Sequence, residues 1–240
     1  MKTLWLYSLL DDEITKNIKL PSELSELYFG EEFCVQTPKL INLMSSLLNN
    51  LPTKLKVLKL PEWWNMPLNN LPMGLEKIIL GIEFNQNLDM LSESILHVEF
   101  PEKYKFDLAL DNLPHNLEYL NLQFQNKYNH SISNFPNSIK YLEIGEYNLA
   151  INKLPKNLET LLIASNVRFI LVSKFFKEES TISFYKLTNI GKYNVENDIQ
   201  IQIPPNLNKI TWYNGDSSVY DYVKISNENL WIDKTDVKYI

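Results

Sequence analysis

Residues 71–88 read LPMGLEKIILGIEFNQNL. Much of that wording returns as LPHNLEYLNL from Leu113, FPNSIKYLEI from Phe135 and LPKNLETLLI from Leu154. Recurrence at a fixed interval of about 20–50 residues is the mark of stacked supersecondary units. Aligned on the second leucine of L-P-x-x-L-x-x-L-x-L, one column holds Leu27, Leu58, Ile78, Val98, Leu120, Leu142, Leu161 and Ile210. The residue two later is Phe29, Leu60, Leu80, Phe100, Leu122, Ile144, Ile163 and Trp212, and the residue three earlier is Leu24, Leu55, Leu75, Ile95, Leu117, Ile139, Leu158 and Leu207. All three columns are apolar. The period of two in L-x-L puts both leucines on one face of a strand. Proline, which has no N–H to give a ladder, marks the approach to that strand. So short a coil cannot bury its leucines alone; stacked coils form a parallel sheet over a continuous core.

Steps along the first column are 31, 20, 20, 22, 22, 19 and 49 residues. The last gap predicts a hidden coil, with Ile182 and Phe184 in the two columns and Glu179 breaking the third. The same phase extends outward to Leu4/Leu6 and to Leu230/Ile232, which lack the proline and suit terminal caps. The expected fold is a leucine-rich-repeat solenoid of about eleven coils of roughly 22 residues. Its parallel sheet lines the concave face, and the convex side is mostly irregular with one or two short helices. The whole of 1–240 reads as one solenoid: 1–19 as N-terminal cap, 20–170 as regular repeats, 171–205 as a degenerate repeat or insertion, and 206–240 as last repeat and C-terminal cap.

A second motif follows the strands: an aromatic residue, often asparagine, and an apolar residue four after the aromatic. It occurs as Trp64-Asn65…Leu68, Phe84-Asn85…Leu88, Tyr128-Asn129…Ile132 and Tyr147-Asn148…Ile151, with Tyr104…Leu108 keeping only the apolar pair. The aromatic is expected to anchor the turn in the core. The amide is expected to satisfy backbone groups the turn leaves open, forming an asparagine ladder along the stack. At these residues the chain resembles the FNIP repeat, a roughly 22-residue variety of leucine-rich repeat named after Phe-Asn-Ile-Pro. Phe84-Asn85 match the name and Trp64-Asn65-Met66-Pro67 keeps its proline; the likeness is good over Leu20–Ile163 and weaker elsewhere. FNIP proteins are known chiefly from slime moulds and giant DNA viruses of amoebae. The resemblance implies a non-catalytic solenoid that binds protein, in the cytoplasm of a host or in a virion if the source is viral. Some members carry an F-box, but residues 1–30 already follow the repeat phase.

Composition narrows the functional classes. Hydrophobic residues make up 45%, enough for a packed core. The net charge of −6 sits in the first half, where residues 1–120 carry 10 Lys against 17 acidic residues; 121–240 carry 12 Lys and one Arg against 12. Neither half has the basic stripe of a nucleic-acid binder. Cys34 is the single cysteine, and it reads as a small core residue in a reducing compartment rather than a thiol nucleophile. MKTLWLYSLLDDE at the N-terminus has too short an apolar run for a signal peptide and no small-residue cleavage site. No apolar stretch approaches the ~20 residues of a membrane span, so the expectation is a cytoplasmic chain with no membrane partner and no cofactor.

Two stretches break the repeat. In the 31-residue gap, Leu40, Leu43, Met44, Leu47 and Leu48 mark one face of a helix over Pro38–Asn50, with Thr37 as N-cap and Pro38 at N1. From Leu171 to Pro205 the pattern fades into a decayed repeat with a short helix over Ser173–Glu179.

Function should lie on the outward positions of the strands. One such column runs Tyr28, Lys59, Ile79, Glu99, Asn121, Glu143, Leu162, Ser183 and Thr211; the column two before it runs Glu26, Val57, Lys77, His97, Tyr119, Tyr141, Thr160, Thr181 and Lys209. Aromatic residues among polar neighbours resemble a protein-binding hot spot, so Tyr119, Tyr141, Asn121, Glu143, His97, Glu99 and Lys77 are the candidate contact residues for a protein partner. The same positions collect tyrosine and threonine by β propensity alone. The alternative is glycan or small-ligand stacking on Trp5, Tyr28, Tyr119, Tyr141 and Trp231. His97 and Glu99 fall short of the three or four ligands a metal needs. Phosphate-loop, dinucleotide, HExxH and GxSxG patterns are absent, and no enzyme is expected.

Overall fold

In the L-P-x-x-L motif, the amide of the leucine donates to the carbonyl of the proline three residues earlier. This occurs at Leu24–Pro21, Leu55–Pro52, Leu75–Pro72, Leu117–Pro114, Ile139–Pro136, Leu158–Pro155 and Leu207–Pro204, at 3.0–3.3 Å. Each is a β-turn, and Ile95–Ser92 makes the same turn without proline. The turn delivers the chain into a short strand. The computed structural model describes residues 2–7, 19–30, 38–123, 127–147, 149, 151, 153–164, 167–170, 181–186, 199–202, 204–213, 219–225 and 230–233. They fall into two compact units: 1–108 with 112–117, and 109–111 with 118–240.

The first unit holds β1 (Thr3–Leu6), β2 (Glu26–Phe29), α1 (Pro38–Asn49), β3 (Val57–Lys59), β4 (Lys77–Ile79) and β5 (His97–Glu99). Its five strands are parallel, in chain order, and in the register of the leucine column: Leu4↔Leu27↔Leu58↔Ile78↔Val98. Leu27, Leu58, Ile78 and Val98 are fully buried, as are Leu55, Leu75 and Ile95 from the earlier column. The expected helix is present as α1, which buries Met44, Leu47 and Leu48. Its C-terminal end is closed by Asn50, whose side-chain amide donates to the Ser46 carbonyl at 2.8 Å.

In the second unit β6 (Tyr119–Asn121), β7 (Tyr141–Glu146) and β8 (Thr160–Ala164) continue in parallel, Leu120↔Leu142↔Leu161. A bulge interrupts the β7–β8 register between Ile144 and Glu146. β3 to β8 carry six coils of regular length, and β1, β2 and β12 pair in parallel in the same leucine register. The expectation of eleven coils is therefore corrected: two of the eleven expected strands are not parallel, and only six of the remaining nine belong to coils of regular length. The strand containing Ile182 and Phe184 is not a coil of the solenoid: β9 (Val167–Ile170), β10 (Thr181–Lys186) and β11 (Ile199–Gln202) form a separate antiparallel sheet. The parallel ladder passes directly from β8 to β12 (Lys209–Tyr213), Leu161 opposite Ile210. Beyond it, β13 (Val219–Ile225) and β14 (Leu230–Asp233) are antiparallel to their neighbours, so Leu230 and Ile232 belong to an antiparallel edge and not to a further coil. Cys34, Thr37 and the short helix expected over Ser173–Glu179 lie outside the described residues.

The aromatic motif closes four of the coils as expected. Trp64, Phe84, Tyr128 and Tyr147 are buried, with Leu68, Leu88, Ile132 and Ile151 four residues on. The coil after β5 departs from its predicted alignment. Its column residues are Phe106 and Leu110, both buried, and Phe106 stacks on Phe84 at 6.5 Å between ring centres. Tyr104 instead leans on Phe100. The asparagine ladder is present in the first unit. Asn65 Oδ1 accepts the backbone N–H of Asn85 at 2.8 Å, and Asn85 Oδ1 accepts that of Asp107 at 3.1 Å.

Candidate binding faces of the two sheets

Strand alternation turns one side of each sheet away from the leucine core. In the first unit that face carries Tyr28, Lys59, Ile79 and Glu99 beside Glu26, Val57, Lys77 and His97, all partly exposed. Lys77 Nζ lies 3.0 Å and His97 Nε2 3.3 Å from the same Glu99 oxygen. The hydrogen bond from His97 is the main reason the Glu99 carboxyl is held down at about 2; burial opposes it, and Lys77 adds to it. These three candidates therefore form one paired cluster in which Glu99 is ionised over the whole physiological range.

The same face begins with three near-parallel rings. Trp5 stacks on Tyr28 with centroids 4.3 Å apart and an interplanar angle of 10°, and on Tyr7 at 5.9 Å and 12°. Tyr7 fits because residue 30 is glycine: a Cβ on Gly30 would sit 2.7 Å from the Tyr7 ring.

In the second unit Tyr119 and Tyr141, paired across β6 and β7, stack with centroids 4.3 Å apart and planes within 3°. The Tyr141 hydroxyl donates to Glu143 Oε2 at 2.7 Å. Burial first, and then this bond, drive the phenol far above its ordinary value, so it remains a proton donor at any physiological pH. Asn121 and Glu143 depart from their reading as exposed contact residues: they are only 7% and 6% exposed. Each lies two residues along the strand from a tyrosine on the same side, and the Tyr141 side chain reaches Glu143 directly. Asn121 Oδ1 accepts the backbone N–H of Gln123 at 2.7 Å, which supports Gln123 in a left-handed conformation with φ 50°. Glu143 thus holds the Tyr141 hydroxyl, while Asn121 holds the backbone that follows β6.

A cavity of about 210 Å³ between α1 and residues 64–71 is lined by Ser45, Leu48, Trp64 and Met66, among others. Its polar groups are engaged locally: the Trp64 indole donates to the Met66 carbonyl, and Asn70 donates to Asn49. Among the described residues no group of three or more His, Cys, Asp or Glu side chains is placed to hold a metal ion, and no helix is long and apolar enough to cross a membrane.

The turn, strand and aromatic-closure pattern of the coils bearing the tyrosine pair agrees with a known repeat. Residues 104–147 match the FNIP Repeat. The FNIP match takes in Phe106, β6 and β7 and ends on Tyr147, so Tyr119 and Tyr141 both lie within it. A solved structure described as CroV588, a novel circular LRR protein, is 19% identical over 84% of this chain, with a TM-score of 0.37. The chain spans 38% of that protein's length. No curated protein matches the chain. The Phe106–Leu110 pair of the FNIP segment was legible as the 22-residue step from Phe84 and Leu88. The nearer apolar pair Tyr104…Leu108 masked it.

Proposed function

We propose that the chain is a non-enzymatic interaction solenoid that binds a protein partner in the cytoplasm through the outward face of its sheet, centred on Tyr119 and Tyr141. The observation that carries this reading is the stacked tyrosine pair, one hydroxyl of which is held by Glu143. Two rings held face to face, with one hydroxyl tethered, lose little further freedom on binding, and rigid aromatic anchors of that kind dominate interface energetics. Repeat solenoids commonly present such extended faces to protein ligands. In the first unit, Lys77, His97 and Glu99 form a separate polar cluster of their own.

The test is affinity capture from an amoebal lysate with the wild-type chain and with the double variant Tyr119→Ala/Tyr141→Ala. The double variant should keep the wild-type circular dichroism spectrum and retain at most about a tenth of the captured partner, a loss of about 1.4 kcal/mol or more. Undiminished capture by a folded double variant would remove this face from consideration.

A further inference from the structure

We propose that the cavity between α1 and the turn of residues 64–71 binds a single neutral sugar ring. The cavity exists because α1 stands where the following coils place a turn. In those coils turn seats on turn: Asn65 Oδ1 accepts the backbone N–H of Asn85, and Asn85 Oδ1 accepts that of Asp107. A helix is a rod about 10–12 Å across, and it does not follow the contour of the turn beside it. Two side-chain bonds tie the walls together instead, Ser45 Oγ to Met66 Sδ at 3.6 Å and Asn70 Nδ2 to Asn49 Oδ1 at 2.9 Å. All four residues line the cavity of about 210 Å³.

The lining selects the ligand by elimination. None of its ten residues is charged, so a phosphate, carboxylate or amine entering it would lose hydration without gaining a counter-charge. A wholly apolar guest would shut water away from the Ser45 hydroxyl and the amides of Asn49, Asn69 and Asn70. A flat base has no surface to stack on: Trp64, the single aromatic residue of the lining, is 2% exposed. A sugar fits what remains. Its C–H face suits Leu48 and Leu68 in the walls. Its hydroxyls donate and accept at once, and so do the amides: the Asn70–Asn49 bond leaves the Asn49 N–H groups and the Asn70 oxygen for a ligand. Size sets one ring, since an apolar cavity of about 150 Å³ holds benzene. The cavity shares no residue with the tyrosine face, so the two proposals fail separately.

Titration followed by two-dimensional N–H correlation spectra tests the inference. The probes are glucose, galactose, mannose and N-acetylglucosamine, with glycerol and adenosine as controls. At least one sugar should shift the Trp64 indole N–H, which is bonded to the Met66 carbonyl within the lining. The shift should saturate in the millimolar range expected of so small a ligand. Asn70→Ala, a change at an exposed residue, should weaken that sugar about fivefold by removing one hydrogen bond. Ser45→Leu fills the cavity and should abolish the shift; if it loses its circular dichroism signal, Asn70→Ala supplies the reading. No saturable shift from any of the four sugars, undiminished binding by Asn70→Ala, or tighter binding of glycerol or adenosine would each overturn the proposal.

Discussion

Glu99 carries its charge through two neighbours on one face, and that has a measurable consequence. Its carboxyl is held from 4.5 down to about 2 in the folded chain, so the folded state favours the ionised form. The resulting stabilisation is complete above the ordinary carboxylate range and is lost as pH falls through that range toward about 2. Urea midpoints taken at roughly pH 7 and pH 3 should therefore converge for Glu99→Gln more than for wild type. Asn85 acts by geometry instead of charge. Truncation to alanine leaves the Asp107 N–H without its cross-coil acceptor and should cost about 0.5–1.5 kcal/mol in thermal unfolding. The Asn65–Asn85 ladder was legible because both residues follow a buried aromatic at the same step. The burial of Asn121 and Glu143 was not: alternation says which side a residue faces, not how deeply its neighbours cover it there.

Among the elements, the turns between strands set the tolerance for change. Gly81 follows β4, and a Cβ there would fall on the carbonyl oxygen of Pro61 and 2.8 Å from that of Glu62, both backbone atoms of the preceding coil. Gly81→Ala should destabilise by about 1–3 kcal/mol, read as a lower denaturant midpoint. The leucine columns placed nine parallel strands correctly, because burying three columns at once leaves no alternative register. β10 was misplaced because Ile182 and Phe184 satisfy a period of two, which identifies a strand but not the sheet it joins. The direct β8–β12 pairing is testable. Leu162→Cys/Thr211→Cys, in a Cys34→Ser background, should form a disulfide on mild oxidation, because these two residues are register partners. An intervening coil would hold them about 10 Å apart and prevent it.

For the whole molecule, charge and composition exclude more than they identify. The repeat explains why the chain folds, and the outward residues carry whatever it recognises. Lys–Glu pairs between successive coils, such as Lys56–Glu76 at 2.7 Å and Lys140–Glu118 at 2.8 Å, are exposed and contribute little to stability. The tyrosine pair is different in kind, since its rings stack across strands while a buried carboxylate fixes one hydroxyl. Site-specific photo-crosslinking tests this face most directly. A benzophenone amino acid is placed at Tyr119, at Tyr141 or, as control, at exposed turn residue Asn134, and the chain is irradiated in amoebal lysate. The account predicts one shared adduct from Tyr119 and Tyr141 and none from Asn134. An adduct formed from Asn134 alone would contradict it.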